Sequence, residues 1–379
     1  MRVGLVPLLY DEYNYGGVLQ FYALQRILKS NNIECDIIFF NNDEKAFCLE
    51  LPARKKFLLN IKIALYKIIY GKRSVTEKNI IEENIKKRKL KIDAFKQLHY
   101  SQVVNEASIS YSEYDAIVCG SDQIWNPNWA RRRCFLEFVP DEINKVIYAA
   151  SLGCESMSKE QKAQFEPRIE RLQYVSVREQ SGKAILDSFM KDKDIKVVLD
   201  PTLLLLPEDW NNIVVEPKEK GYVFTYFLGK YDDKIEYIGE FAKRKGLKII
   251  NIPFASGEKN DDVCFGDLQI KDADPGEFIG LIKNAEYIFT DSFHACVFSV
   301  LFKKEFYAFQ RDNSKKMQGR INTLLHNFNL PDRFIEVGTD LDMISPIDYQ
   351  NNDMIQESLR RDSLTFLLDS INDKFNLVK

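Results

Sequence analysis

Long apolar segments are missing from this 379-residue chain. No stretch reaches the roughly 18 uninterrupted apolar residues that cross a bilayer as a helix, so no membrane-spanning segment is predicted. The N-terminus also lacks the long apolar stretch and small-residue cleavage site of a signal peptide, since Arg2 is followed at once by the strand-like Val3-Gly4-Leu5-Val6. We therefore expect a cytoplasmic protein.

Several familiar functional motifs are absent as well. The seven cysteines form no CxxC pair and no cluster with zinc spacing, so reduced thiols and no metal site are predicted. The chain has neither a GxGxxG nor a Walker loop for a nucleotide, and no GxSxG elbow for acyl transfer. Its net charge of -3 disfavours a nucleic-acid partner, which normally requires a strongly basic surface. No bound cofactor is predicted.

The chain does have the alternation of an α/β protein. Short runs rich in Val, Ile, Phe and Tyr alternate with segments of helical period, as in parallel sheets covered by helices. The length favours two domains, which we place at residues 1–205 and 206–350, and a helix over 351–379 is expected to pack back on the first domain. We predict two Rossmann-like domains facing a ligand cleft at the carboxyl ends of their strands. The predicted strands are 3–9, 36–40, 115–119, 146–150, 174–177 and 197–199 in the first domain, and 222–228, 247–252, 287–290 and 306–309 in the second.

A basic helical insertion interrupts the first domain at about residues 53–99. Residues 54–73 contain seven basic side chains, no acidic ones and two apolar runs. One interpretation is an insertion whose lysines are simply solvated. The alternative is a basic amphipathic helix that makes peripheral contact with the anionic inner face of the membrane.

Three histidines are present, and His294 is the best candidate for catalysis. It follows the predicted strand 287–290 and opens an apolar helix, so it lies at the carboxyl end of a strand. An imidazole there suits general acid–base work, with Asp291 as its helper. Ser292 is expected to cap the helix, whose first free N–H groups would face an anion. The alternative is a histidine that merely packs or caps at this turn.

Arginines are the next candidates, because a planar guanidinium holds small anionic substrates well. Arg178 stands at the carboxyl end of a predicted strand. Arg320 precedes a helix, with Lys315 and Lys316 in the polar loop just upstream. The alternatives are a surface ion pair between Arg178 and Glu179, and an ordinary exposed loop for the other three residues.

Two loops of the first domain carry groups suited to a ligand. Gly16 and Gly17 lie between the first strand and helix, where glycine permits close backbone approach and a helix N-terminus favours negative charge. The segment after the predicted strand 115–119 concentrates hydrogen-bonding groups beside an indole, a mixture suited to sugars, although a polar turn anchored by Trp125 is the alternative. The candidate acceptor contacts are Asn14, Asp122, Gln123, Trp125 and Asn126.

Asp200 ends the predicted strand 197–199 and precedes Pro201. A carboxylate at this place would hold a hydroxyl or orient a base. An aspartate before a proline is nevertheless common as plain turn chemistry, and we interpret Asp200 as a turn residue.

Five segments, taken in order, resemble the polysaccharide pyruvyl transferase family. The resemblance runs from about residue 1 to about residue 333. It implies a fold similar to glycosyltransferase type B, with phosphoenolpyruvate as donor and co-substrate. The acceptor would be a sugar of a capsule, an exopolysaccharide or a lipid-linked precursor, on which a pyruvate ketal forms. The segments are Asn14-Tyr15-Gly16-Gly17-Val18-Leu19-Gln20, Gly120-Ser121-Asp122-Gln123-Ile124-Trp125-Asn126, Ser176-Val177-Arg178-Glu179, Asp200-Pro201-Thr202-Leu203-Leu204 and Thr290-Asp291-Ser292-Phe293-His294.

The resemblance also implies roles for single residues. The family's active-site histidine corresponds to His294, and its arginine after a serine-valine pair corresponds to Arg178. Many members carry an arginine two residues before the histidine, where this chain has Ser292. The charge that binds the donor phosphate would then come from Arg320 or the two lysines upstream of it.

Two other functions stay open from the sequence. A nucleotide-sugar-dependent glycosyltransferase uses the same architecture, and fold does not fix function. A non-catalytic glycan-binding relative would keep the fold after losing the site.

Overall fold

The computed structural model describes residues 1–8, 13–40, 61, 75–253, 265–311 and 319–373, except for the side chains of 75–81. The basic stretch 54–73, with its predicted membrane contact, lies outside the described residues apart from residue 61. Within the described ranges, no helix is long and apolar enough to cross a membrane.

The first sheet consists of seven strands that all run parallel. Their central members are almost wholly buried, as expected where helices cover both faces of a parallel sheet. The strands are β1 (Arg2–Val6), β2 (Glu34–Phe39), β3 (Val103–Asn105), β4 (Ala116–Gly120), β5 (Asn144–Ala150), β6 (Tyr174–Val177) and β7 (Ile195–Val197). Their order across the sheet is β3-β2-β1-β4-β5-β6-β7.

The second sheet has six strands, again all parallel. They are β8 (Tyr222–Tyr226), β9 (Lys248–Ile252), β10 (Leu268–Gln269), β11 (Tyr287–Thr290), β12 (Glu305–Phe309) and β13 (Phe334–Ile335). Their order, β10-β9-β8-β11-β12-β13, repeats the pattern of the first sheet. Two parallel sheets with helical crossovers confirm the predicted α/β fold class.

Nine α-helices lie between the strands in the described residues, and a tenth follows the last strand. Local sequence explains several of their ends. Asn14 caps the first helix by accepting a hydrogen bond from the Gly16 N–H at 2.9 Å, and Asp274 and Glu277 form a capping box around a helix that begins with a proline. The helices are α1 (Tyr15–Ser30), α2 (Val75–His99), α3 (Lys159–Glu170), α4 (Gln180–Asp187), α5 (Pro207–Trp210), α6 (Ile235–Lys245), α7 (Pro275–Asn284), α8 (Phe293–Leu301), α9 (Gly319–Asn327) and α10 (Tyr349–Asn372).

A continuous hydrophobic core joins the two sheets through the helices between them. Trp210 is fully buried in it, with ring centroids 5.7 Å from Tyr22 of α1 and 4.9 Å from Phe298 of α8. Tyr15 stacks on Phe278 of α7 at 4.5 Å, and its hydroxyl donates to the Ala273 carbonyl at 2.7 Å. The α1 helix of the first sheet is therefore packed directly against α7 and α8 of the second.

The last helix, α10, returns from the second sheet to the first. Near its start, Asp353 pairs with Lys303 at 2.7 Å. Further along, the Ser363 hydroxyl accepts the Leu199 N–H at 2.9 Å, and the Ser370 carbonyl accepts a hydrogen bond from Asn144 at 2.6 Å. The helix thus contacts both halves of the molecule.

The position of Trp210 makes the packing between the sheets testable. Trp210→Ala should lower the free energy of unfolding by about 3–5 kcal/mol, because it removes a fully buried indole. Urea denaturation would measure this. Trp129, which is 41% exposed, provides the control, and Trp129→Ala should change the free energy of unfolding by no more than about 0.5 kcal/mol. Equal losses in the two variants would contradict this account of the core.

Candidate active site

The strand order reverses at one point in each sheet, between β1 and β4 in the first and between β8 and β11 in the second. In open parallel sheets, ligands bind at the carboxyl ends of the strands next to such a point. The loops that follow β1, β4 and β11 bring Gly16, Asp122 and His294 into one cluster. The site is therefore built from both halves of the molecule.

His294 lies in the first turn of α8, and its side chain is 8% exposed. Its ring rests against the first turn of α1, where a Cβ built on Gly16 would lie 2.0 Å from Nδ1. Glycine is required at this position because any larger residue would meet the imidazole. The two helix starts, one from each half, thus hold the imidazole between them.

Asp200 faces the other nitrogen of this imidazole, with Oδ2 at 3.6 Å from Nε2 of His294. Its side chain is fully buried, and its Oδ1 accepts the Thr202 hydroxyl at 2.7 Å and the Thr202 N–H at 3.0 Å. Burial opposes ionisation, but the charges of His294 and Arg178 outweigh it and hold the pKa of Asp200 below its usual range. The carboxylate is therefore ionised beside the imidazole.

Arg178 bridges two carboxylates inside the cleft. One terminal nitrogen lies 2.6 Å from Oδ2 of Asp200 and the other 3.0 Å from Oδ1 of Asp122. The guanidinium also stacks over the ring of Phe293, 4.5 Å from its centroid. Arg178 also lies 3.9 Å from Glu179, the ion pair considered from the sequence, but this pair is buried and not at the surface.

The loop after β4 positions Asp122 through its backbone. Gly120 has φ of +142°, and a Cβ there would lie 2.0 Å from the Tyr148 carbonyl oxygen. Asp122 itself has φ of +65°, in the left-handed region that non-glycine residues seldom occupy. The Ser121 N–H between them donates to the Gln20 side chain at 2.9 Å. These contacts turn the Asp122 carboxylate toward Arg178.

The rest of the predicted acceptor set lies elsewhere. Trp125 is fully buried, stacks on Phe135 and donates its indole N–H to the Cys134 carbonyl at 2.9 Å. Its ring is part of the hydrophobic core, and its contact with a sugar stays a prediction. The Asn126 amide donates to the Gln123 side-chain oxygen at 2.8 Å, so these two side chains are hydrogen-bonded to each other. Among the contacts described for these five residues, the ion pair of Asp122 with Arg178 at 3.0 Å reaches the charged cluster.

Asp291 is hydrogen-bonded to the loop after β8. Its carboxylate accepts the N–H groups of Leu228 at 2.6 Å and Gly229 at 2.8 Å, and lies 3.7 Å from Arg311 Nε. Burial raises its pKa. The Ser292 hydroxyl accepts the Ala295 N–H at 3.4 Å as the cap of α8. These contacts hold the start of α8 in place.

Arg320 is buried near the same cluster, whereas Lys315 and Lys316 lie outside the described residues. Burial and the charges of Arg178 and Arg311 lower the pKa of Arg320 to about 10. In the part of the chain that the structure describes, no three histidine, cysteine or acidic side chains are arranged to hold a metal ion.

Sequence reasoning missed two members of this site. Asp200 was interpreted as a turn residue, and it does cap the short turn Pro201–Leu203 through Oδ1. Its other oxygen, which faces Arg178 and His294, has no local sequence signature. Arg311 was not considered at all, although it follows the end of β12 as Arg178 follows the end of β6. That position at a strand's carboxyl end was the available signal.

A family model described as polysaccharide pyruvyl transferase matches residues 14–313, a span that contains every described residue of this cluster except Arg320. The chain belongs to the polysaccharide pyruvyl transferase family. The predicted resemblance is confirmed, and with it the assignment to a family of transferases. No curated protein matches the chain.

Several solved structures share a weak overall likeness with this pyruvyl transferase family member. A UDP-GlcNAc 2-epimerase from Neisseria meningitidis is 11% identical, with 98% of this chain and 99% of that chain covered and a TM-score of 0.44. The glycosyltransferase SnogD from Streptomyces nogalater is 9% identical, with 96% and 94% covered and a TM-score of 0.43.

The contact between Gly16 and His294 can be tested by adding one methyl group. Gly16→Ala should displace the imidazole from Asp200 and cost about 1–3 kcal/mol of stability, because the cleft is already filled. The His294 ring signals in NMR spectra and urea denaturation would report the two effects. Gly239→Ala in α6 is the control, since a Cβ there meets nothing within 4 Å. It should stabilise the helix by about 0.5–1 kcal/mol. Unchanged His294 signals in Gly16→Ala would contradict the described packing.

The lowered pKa of Asp200 predicts how stability depends on pH. Because the folded-state pKa lies below the ordinary value of 3.8, the carboxylate stabilises the fold above that pH. This contribution is lost as the pH falls from 3.8 toward the folded-state pKa. The stability advantage of the wild type over Asp200→Asn should therefore narrow below about pH 4. Urea titrations between pH 6 and pH 3 would measure it. Asp194, 75% exposed, supplies a matched Asp194→Asn control, and the same narrowing there would refute the assignment.

Proposed function

We propose that this transferase moves a pyruvyl group from phosphoenolpyruvate to two hydroxyls of a surface-polysaccharide sugar or its lipid-linked precursor. Family membership supports the reaction class. The observation that carries the proposal is the buried pair of His294 and Asp200, 3.6 Å apart, where the two halves of the molecule meet. A single imidazole beside an ionised carboxylate is the arrangement that general acid–base catalysis requires.

The reaction requires one proton to be delivered to the methylene carbon of the donor and one proton to be removed from each of the two sugar hydroxyls. Protonation of the donor's methylene carbon makes C2 electrophilic, and the first sugar hydroxyl adds there and loses its proton. The C2–O bond to phosphate then breaks, and the second hydroxyl closes the ketal. One hydroxyl proton balances the new methyl group and the other leaves with orthophosphate. His294 is the group proposed to carry these protons.

Asp200 is proposed to orient the imidazole and stabilise it when protonated. Support comes from its burial and from the contacts that leave Oδ2 directed at Nε2 of His294 while Oδ1 is held by Thr202. A positioned acid–base group typically contributes ~10² to 10⁴-fold to the rate.

Arg178 is proposed mainly to hold the carboxylates of Asp200 and Asp122 in position. Its two terminal nitrogens already contact Asp200 and Asp122, at 2.6 and 3.0 Å. Because both terminal nitrogens of Arg178 are already in ion pairs, we favour this role for Arg178 over direct binding of the donor. The N-terminus of α1, with Gly16 and Gly17, stays a proposed donor contact, since it adjoins the imidazole.

Removing the imidazole tests the proposal most directly. We expect His294→Gln to lower turnover at least 10²-fold, because no other described group in the cleft replaces the proton carrier. Phosphate release from phosphoenolpyruvate in the presence of a saccharide acceptor would be measured, with circular dichroism to confirm folding. His326→Gln is the control, since His326 is an exposed residue of α9. Near-wild-type phosphate release from His294→Gln would contradict the proposal.

Donor identity needs a separate measurement. Calorimetry of the wild type with phosphoenolpyruvate and with a nucleoside diphosphate distinguishes the proposed donor from a nucleotide sugar. Binding of the first and not the second is expected. The reverse result would assign the protein to nucleotide-sugar-dependent transfer, and donor binding without turnover on any acceptor would indicate a non-catalytic relative.

A further inference from the structure

The helix that ends the basic insertion, α2, carries a buried arginine. Arg88 is 4% exposed, although Lys87 and Lys89 beside it on the same helix are exposed. A solvated surface and a membrane contact both concern exposed charges, so neither interpretation of the insertion explains a guanidinium inside the protein. Burying a charge is costly unless the charge is paired or hydrogen-bonded. The partners of Arg88 therefore show what this side chain is for.

These partners belong to the second half of the molecule. Nε of Arg88 donates to the Lys271 carbonyl at 3.1 Å, and a terminal nitrogen donates to the Pro253 carbonyl at 2.9 Å. Pro253 follows β9 and Lys271 follows β10, so both carbonyls stand at the carboxyl edge of the second sheet. Lys91, three residues further along α2, pairs with Glu277 of α7 at 3.1 Å. Helix α2 of the first half is thus attached to the second half by hydrogen bonds and an ion pair.

The same guanidinium lies beside the start of α1. Its Cζ is over the Tyr15 ring, 5.6 Å from the centroid, as in a cation–π contact. The Tyr15 hydroxyl donates to the Ala273 carbonyl at 2.7 Å. Arg88 and Tyr15 therefore bind the same segment of the second half, residues 271–273. Tyr15 is followed by Gly16, which lies against the imidazole of His294.

We infer that Arg88 is a positioning residue for His294, an inference that rests on the proposed function only where turnover is concerned. Arg88 and Tyr15 together attach the start of α1 to the second half. Gly16 belongs to the first half and His294 to the second, so their contact depends on how closely the halves are held at this point. An arginine suits this task, because its fork of donors reaches two carbonyls while its plane covers an aromatic ring. The insertion thereby contributes to the architecture of the site.

The variants Arg88→Met and Arg88→Lys test this inference. Methionine keeps a buried stem without donors, and lysine keeps a charge that reaches one carbonyl. Without substrate, Arg88→Met should raise the rate at which diethyl pyrocarbonate modifies His294 at least 10-fold, because α1 loosens from the imidazole. The same variant should lower kcat for phosphate release at least 10-fold, and Arg88→Lys should lie between. Mass spectrometry follows the modification, with the exposed His326 as an internal reference whose rate stays unchanged.

Lys86→Met is the matched control, since it removes an exposed charge from the same helix. It should equal the wild type in both measurements. An Arg88→Met protein with a lower Tm, but with wild-type kcat and His294 reactivity below that temperature, would overturn the inference, because Arg88 would then only stabilise the fold. If circular dichroism shows that Arg88→Met does not fold, the same comparison with Arg88→Lys decides. Faster modification of His294 in the variants, with no turnover of phosphoenolpyruvate by the wild type, would support the positioning and refute the proposed function.

Discussion

The carboxylate of Asp200 is the group on which the rest of the cleft depends. It receives Arg178 from its own half, at 2.6 Å, and faces His294 of the other half, at 3.6 Å. A fully buried carboxylate is costly to desolvate, and these partners together with Thr202 stabilise its ionised form. Through Arg178 the same interaction fixes Asp122. The ion pairs among Asp122, Arg178 and Asp200 lie within the first half, and only the contact with His294 requires the two sheets to be packed together.

Arg320 is buried in the same region. Burial and the charges of Arg178 and Arg311 lower its pKa to about 10, while the charges of Asp122 and Glu179 act in the opposite direction. The same carboxylates therefore stabilise more than one guanidinium, and Arg320 depends on the ion network around Arg178.

Sequence pattern predicted the α/β class and the longer strands, because buried parallel strands are continuous apolar runs. It did not predict β3, β10 and β13, which have only three, two and two residues and owe their pairing to neighbouring strands. His294 and Arg178 were accessible to prediction because both follow apolar strands. The second function of Asp200 was not, since its Oδ1 makes the turn that an Asp-Pro pair indicates and only tertiary structure brings partners to Oδ2. The orientation of Trp125 was inaccessible for a related reason, since sequence shows that an indole is present but not which way it points.

The close approach of the two halves also limits how this site can work. The imidazole lies against Gly16 with no space for a methyl group, and Arg178 stacks on Phe293 across the same boundary. A ligand therefore cannot reach Nδ1 from the side of α1 while these contacts persist. Nε2 faces Asp200. Because an imidazole exchanges protons only at its two nitrogens, one of these two contacts must open before the ring can act as an acid or base. If the halves separate, the contact between His294 and Asp200 opens, whereas the ion pair between Asp200 and Arg178 lies within the first half and stays intact.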